Sequence, residues 1–174
     1  MKFYTSDLHF GHEKILEYEN RPFDSVEEMD EYLIYKWNAK VKKGDDVYIL
    51  GDFGFVDGER ANELLSRLNG KKYLIKGNHD YYFLKDKNFD SSKFVWVKDY
   101  AHVKDGENII CMFHYPIAVW DRKHYGSLHF YGHVHSNTET HHPLTADIGP
   151  NAFNVGCDIH GYEPMSLEEL LTGK

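Results

Sequence analysis

Only two of the 174 residues are cysteines, Cys111 and Cys157, which rules out a disulfide framework and leaves no cysteine set for a structural zinc. No apolar run approaches the roughly 20 residues that a membrane-spanning helix needs. The opening Met1-Lys2-Phe3-Tyr4-Thr5-Ser6-Asp7 also lacks the apolar core of a signal peptide. Positive charge is scarce: 20 Lys and Arg against 28 Asp and Glu give a formal net charge of -8, which opposes stable binding to duplex nucleic acid. Internal repeats, linkers and low-complexity segments are missing as well. What remains is a cytoplasmic enzyme or binding protein with no membrane contact. Its length fits one domain over residues 1–174, and 41% hydrophobic residues suffice for its core.

Histidine is the opposite case, with twelve in the chain. His12, His102, His124, His129, His141, His142 and His160 read as ordinary surface or loop residues. The other five, His9, His79, His114, His133 and His135, all fall just past strand-like segments.

In chain order, Lys2 to Thr5 reads as a strand, and Asp7 and His9 beyond it, two apart, share one side of an extended backbone. Ser25-Val26-Glu27-Glu28 is a capping box, and Val26, Met29, Leu33 and Trp37 follow at helical spacing to about Lys40, with a solvated acidic face opposite. Asp46 to Leu50 supplies a second strand, ending at Gly51-Asp52. A helix from about Gly58 to Leu68 leads to a third strand, Lys72 to Ile75, and the loop Lys76-Gly77-Asn78-His79-Asp80. Strand, loop and helix in repetition predict a largely parallel sheet.

The second half changes character. Phe94 to Lys98, His102 to Lys104 and Asn108 to Phe113 look extended, with a hairpin signal at Asp105-Gly106, and predict a second, more antiparallel sheet. Ser127 to Tyr131 makes a strand into Gly132-His133-Val134-His135, where alternation again aims two imidazoles to one side. Ser136 to Pro150 has the composition of a long loop, Phe153 to Val155 a closing strand, and Ser166 to Glu169 a capping box for a last helical turn.

The strand ends thus collect two carboxylates (Asp7, Asp52), one amide (Asn78) and four imidazoles (His9, His114, His133, His135), with His79 spare. That mixed nitrogen and oxygen set exceeds what one tetrahedral zinc requires, and two adjacent ions suit it better. Asp52 is the natural bridge, because one carboxylate can serve two metals.

Asp7-Leu8-His9, Gly51-Asp52, Gly77-Asn78-His79-Asp80, His114 and Gly132-His133-Val134-His135, in this order, resemble the motif series of the calcineurin-like metallophosphoesterases. The resemblance spans the first strand to about residue 158. It implies an α/β fold of two mixed β-sheets packed as a sandwich flanked by helices, in four α/β/β/α layers. It also implies that Asp7, His9, Asp52 and His135 hold one divalent ion and Asp52, Asn78, His114 and His133 the other, with Mn, Fe, Zn, Ni and Mg all compatible with the ligand types. Such a pair of ions lowers the pKa of a water so that hydroxide attacks phosphorus in line. His79 is then the candidate for stabilising the transition state or protonating the leaving oxygen, with Asp80 to orient it.

Two dications less two carboxylates and a hydroxide leave roughly one positive charge, which favours a phosphodiester over a monoester. The chain departs from the protein-phosphatase branch, which places an Asp-Arg pair soon after Gly-Asp; here Gly51-Asp52 is followed by Phe53-Gly54-Phe55-Val56-Asp57. The expected partner is therefore a small phosphoester, nucleotides among the candidates. Its selection would fall to the loops Ala118 to Gly126, with Trp120, Arg122, Lys123 and Tyr125, and Ser136 to Pro150. The alternative function is a noncatalytic metal-binding scaffold of the same fold. It would be expected to have lost ligands or His79, and none is missing.

Overall fold

The computed structural model describes residues 1–136 and 148–173. In the first sheet β1 (Lys2–Thr5), β2 (Asp46–Leu50), β3 (Lys71–Ile75) and β4 (Val97–Lys98) run parallel, and β9 (Met165–Ser166) pairs antiparallel with the free edge of β1. The second sheet has the order β5 (Tyr100–Asp105), β6 (Asn108–Phe113), β7 (Leu128–Tyr131) and β8 (Ala152–Asn154). It is less antiparallel than the sequence suggests. Only the β5–β6 hairpin is antiparallel, whereas β6–β7 and β7–β8 are parallel, because the 114–127 and 132–151 connections are long enough to carry the chain back to the same end of the sheet.

Alternation of side chains sets the layers. From β1 and β2, Phe3, Val47 and Ile49 face helices α2 (Val26–Lys40) and α3 (Gly58–Arg67), where they pack with Met29, Leu33, Trp37, Leu64 and Leu65. Their neighbours Tyr4, Tyr48 and Leu50 face the second sheet and meet Ile110, Met112, Leu128 and Phe130. Each fully buried side chain of this kind contributes roughly 1.5–3 kcal/mol, so two apolar seams hold the layers together independently of any ion. Over the outer face of the second sheet, the 114–127 segment lays Trp120 against Cys111, with a 3-10 turn at Lys123–Tyr125.

The helices start where the caps predict. Ser25 accepts the Glu28 N–H at 3.1 Å, but the Glu28 carboxylate reaches one residue further back, to the Asp24 N–H, so the box is only half closed. Asp57 caps α3, and Ser166 with Glu169 forms the complete capping box of α5 (Leu167–Thr172). Two one-turn helices, α1 (Ile15–Tyr18) and α4 (Tyr81–Leu84), escape a periodicity reading because each is too short to show a repeat. The acidic face of α2 is not wholly solvated: Asp30 is buried and accepts from the Gly11 N–H and from Arg60. His129 is another departure, fully buried in β7 instead of on the surface, with its Nδ1–H donated to the Cys111 carbonyl and its Nε2 accepting from the Ile117 N–H. Among the described residues no helix is long and apolar enough to cross a membrane.

Candidate metal centre

The carboxyl ends of β1, β2, β3, β6 and β7 converge on one edge of the sandwich, and backbone hydrogen bonds extend the sheets into the loops beyond. Asp7 N–H donates to the Gly51 carbonyl, His9 N–H to Asp52 and Phe10 N–H to Phe53, each at 3.0 Å. Ser6 joins the two sheets, donating to the Val155 carbonyl while its own carbonyl accepts from the Cys157 N–H. The site therefore sits on continuous, hydrogen-bonded backbone.

How the side chains are aimed differs from the sequence reading. Asp7 and His9 do not share a side through extended alternation, because both have left-handed backbone, with φ of 56° and 55°. Asp52, His133 and His135 do the same at 54°, 71° and 48°. Asp and His are among the residues that enter this region at moderate cost, yet each such position still costs about 1 kcal/mol. Two motif glycines make room for this packing. A Cβ on Gly77 would strike Asp52 Oδ1 and the Asp52 amide, and one on Gly132 would strike Ser6 Oγ and Asp7 Oδ2.

Among the described residues ligand-type atoms form three groups, two of them built from the residues the sequence singles out and a third, Glu19, His135 and Asp158, sharing His135. Of the first two, Asp7, His9 and His135 form one, Asp52, His114 and His133 the other, and within each group the donor atoms lie within 4.8 Å of one another. Asn78 Oδ1 joins the second, 3.1 Å from His114 Nε2 and 3.0 Å from His133 Nδ1. Between the groups stands Asp52. Its Oδ1 accepts the His79 N–H at 2.9 Å, and its Oδ2 lies 3.7 Å from His9 Nε2 and 3.5 Å from His114 Nε2. A single carboxylate oxygen thus faces both groups.

Three of the four imidazoles are held by the nitrogen that faces away from the centre, whereas His133 Nδ1 meets Asn78 within it. His114 Nδ1 donates to the Leu50 carbonyl at 2.7 Å, His135 Nδ1 bonds Asp158 at 2.7 Å, and His9 Nδ1 meets His12 Nδ1 at 3.2 Å. This leaves three Nε2 atoms directed inward, and that of His9 is buried without any hydrogen-bond partner. An orphaned, buried imidazole nitrogen beside two carboxylates is costly unless something completes it, and a divalent cation does so. The residues present therefore fit a metal.

Electrostatics point the same way. Burial pushes Asp52 up, but the hydrogen bond and charge of His114 and the charge of His9 outweigh it and hold the carboxyl well below its ordinary value. Burial lowers His114, yet the same hydrogen bond and the Asp7 and Asp52 charges carry it up to about 9. Asp52 and His114 thus favour each other's charged forms, and a divalent cation held by the two groups would supply positive charge to Asp52 in the imidazolium's stead.

Some residues stand in roles other than those the sequence suggests. Asp80 does not orient His79: it is fully buried and accepts from the backbone N–H of Asp52 (3.1 Å), Phe53 (2.8 Å) and Gly77 (2.7 Å). Those three amides claim both of its oxygens, so Asp80 ties the β2 loop to the β3 loop. His79 is half-buried and belongs to neither ligand group, its ring 5.5 Å from that of His9. His12 is no ordinary surface residue, since it supports His9 and stacks on Phe55. In the 118–126 loop Trp120 is buried and donates to Ser127, while Lys123 Nζ donates to the Ala118 and Ile148 carbonyls, so neither side chain is free for substrate. Most of the Ser136 to Pro150 loop, with His141 and His142, lies outside the described residues.

Two contributors escape a reading of the sequence. Arg21, only 4% exposed, donates to the carbonyls of Asp7 (2.7 Å) and Leu8 (2.8 Å) and, through Nε, to Asp158 at 2.8 Å. Asp158 in turn holds His135. An isolated Arg and an Asp outside every motif carry no spacing signal.

Comparison with known proteins agrees with this geometry. The chain is 34% identical over 169 residues to an uncharacterized protein, MJ1445, of Methanocaldococcus jannaschii, a match covering 94% of this chain and 85% of that one. It is 32% identical over 187 residues to the gene 66 protein of Mycobacterium phage L5, covering 91% of this chain and 86% of that one. The crystal structure of a protein of unknown function, AQ665 from Aquifex aeolicus, has a TM-score of 0.77 at 26% identity, over 100% of this chain and 99% of that one. Residues 3–108, which carry Asp7, His9, Asp52 and Asn78, match the family model of the calcineurin-like phosphoesterases. By that match, and by the donor set its strand ends assemble, the chain belongs to the calcineurin-like phosphoesterase family of metal-dependent phosphoester hydrolases.

Proposed function

We propose that the chain hydrolyses phosphodiesters at a two-ion centre, with Asp7, His9 and His135 holding one ion, Asn78, His114 and His133 the other, and Asp52 shared. The observation that carries this reading is Asp52 Oδ2, which faces His9 Nε2 and His114 Nε2 at 3.7 and 3.5 Å while Oδ1 is occupied by the His79 amide. Two divalent ions bound there would supply an activated water and offset charge on the phosphoryl oxygens.

The protein's own groups do the rest. Among the described residues the two ligand groups carry two carboxylates, Asp7 and Asp52, while Asp158 is paired with Arg21, Asp80 is turned to backbone amides and Glu19 stands outside both groups beside His135 and Asp158. That charge count supports a substrate with one negative charge over one with two. His79, anchored through its backbone to Asp52 and outside both ligand groups, would donate a proton to the departing oxygen.

The test is elemental analysis of Mn-loaded protein followed by rates on bis-p-nitrophenyl phosphate and p-nitrophenyl phosphate. Two ions per chain and faster diester turnover are expected. One ion per chain would overturn the shared-carboxylate reading, faster monoester turnover the substrate preference. Two ions with no turnover of either would leave a metal-binding scaffold.

A further inference from the structure

A run of exposed rings leads away from the centre. His79 lies 5.4 Å from Phe55, Phe55 4.3 Å from Tyr82, and Tyr82 stacks on Tyr81 at 4.1 Å. These three rings are 36%, 43% and 45% exposed, in the order Phe55, Tyr82, Tyr81, although the next residue of α4, Phe83, is fully buried. The helix therefore buries one aromatic and holds two out beside the site. Beside the touching Phe55 and Tyr82 rings is an open hollow of about 330 Å³, lined also by Val56, Asp57 and Asp86. On the opposite side of the centre Tyr115, 37% exposed, packs its ring on His133 at 4.5 Å. The two ligand groups are thus flanked by separate aromatic surfaces.

We infer that the Phe55–Tyr82 hollow binds a nucleobase of a nucleoside-bearing phosphodiester while its phosphate lies at the metal centre. This rests on the phosphodiesterase reading and names its substrate class. Flat exposed rings one ring away from a catalytic histidine suit a planar aromatic group, since every base has a face to stack. Asp57 and Asp86 already accept the backbone N–H groups of Arg60, Gly58 and Asn88, but their negative charge repels phosphate and their remaining lone pairs suit a base N–H such as N3–H of thymine, so the base, and not the phosphate, occupies the hollow. The net charge of -8 disfavours a long polyanion, which points to a short strand or a dinucleotide.

The experiment compares two esters with one leaving group, thymidine 5′-(p-nitrophenyl phosphate) and methyl p-nitrophenyl phosphate, on Mn-loaded wild type, Tyr82→Ala and Tyr82→Trp. It adds calorimetric binding of thymidine 5′-phosphate to the same proteins. A stacked base is worth roughly 5- to 150-fold, so kcat/KM should favour the thymidine ester by about that factor in wild type. In Tyr82→Ala the preference should fall toward parity, with weaker nucleotide binding, and Tyr82→Trp should restore both. Tyr82 is 43% exposed and belongs to no core cluster, so these variants are expected to fold. Turnover of both esters without preference, or a preference that survives Tyr82→Ala, overturns the base site and leaves the phosphodiesterase reading intact. Tyr82-dependent nucleotide binding without turnover of either ester supports the base site and overturns the hydrolytic reading.

Discussion

Replacing Asp158 with alanine asks how much of the centre depends on a carboxylate that belongs to neither the Asp7 nor the Asp52 group. Two demands meet there: His135 Nδ1 at 2.7 Å and Arg21 Nε at 2.8 Å. Alanine leaves the Arg21 guanidinium, 4% exposed, with the Asp7 and Leu8 carbonyls but no counterion. Breaking one side of a buried pair costs about 3–5 kcal/mol, within the roughly 5–15 kcal/mol of an ordinary domain, so the variant should fold with a lower urea midpoint even under chelation. Losing the partner that orients a ligating imidazole costs about 10- to 100-fold in metal affinity. That loss should fall on one ion alone, because His114 is held independently by the Leu50 carbonyl. Asp158→Asn keeps an acceptor for His135 without the charge and should fall between. Calorimetric titration with Mn, checked by elemental analysis after dialysis, reads this directly. Equal weakening of both ions, or of neither, would refute the argument that Asp158 acts through His135.

Three further outcomes are expected. His79→Ala should keep both ions and lose about 10²–10⁴-fold in turnover, whereas Asp52→Asn should lose metal and activity together; elemental analysis and diester rates decide, and metal loss in His79→Ala would make His79 a ligand. Chelation should lower the melting temperature, since an ion at 100 times its dissociation constant stabilises by about 2.7 kcal/mol; an unmoved transition would mean weak, incidental binding. Burial lowers His129 to about 4, which makes the neutral ring the folded form. The stability it contributes is complete above about pH 6.5 and is lost as pH falls toward 4, up to about 3 kcal/mol. Urea midpoints at pH 7 and 4.5 should therefore converge more for His129→Gln than for wild type, and equal acid losses in both would sink the assignment.

The seven ligand-type residues were legible because their chemistry needs particular side chains at strand ends, and strands announce themselves by composition. What the sequence concealed is backbone and environment. Left-handed φ at Asp7, His9, Asp52, His133 and His135 has no periodic signature, so their common aim was right and the extended geometry assumed for it was not. Asp80 looked like a partner for its neighbour His79, but adjacency in sequence says little once a tight turn sends the two side chains apart. His12 and His129 show that residue type alone does not separate a supporting or buried histidine from an exposed one. The parallel pairing of β6 with β7 depends on where a long connection returns, which composition does not encode.

The donors of each group come from both sheets, at positions from 7 to 135. A nascent chain still short of residue 133 has emerged with Asp7, His9, Asp52, Asn78 and His114 but lacks a donor of each group, so neither group is complete until the later strands of the second sheet have been made. Chains stalled midway therefore lack donors of both groups, and ion capture at the strand ends would report that the two sheets have come together.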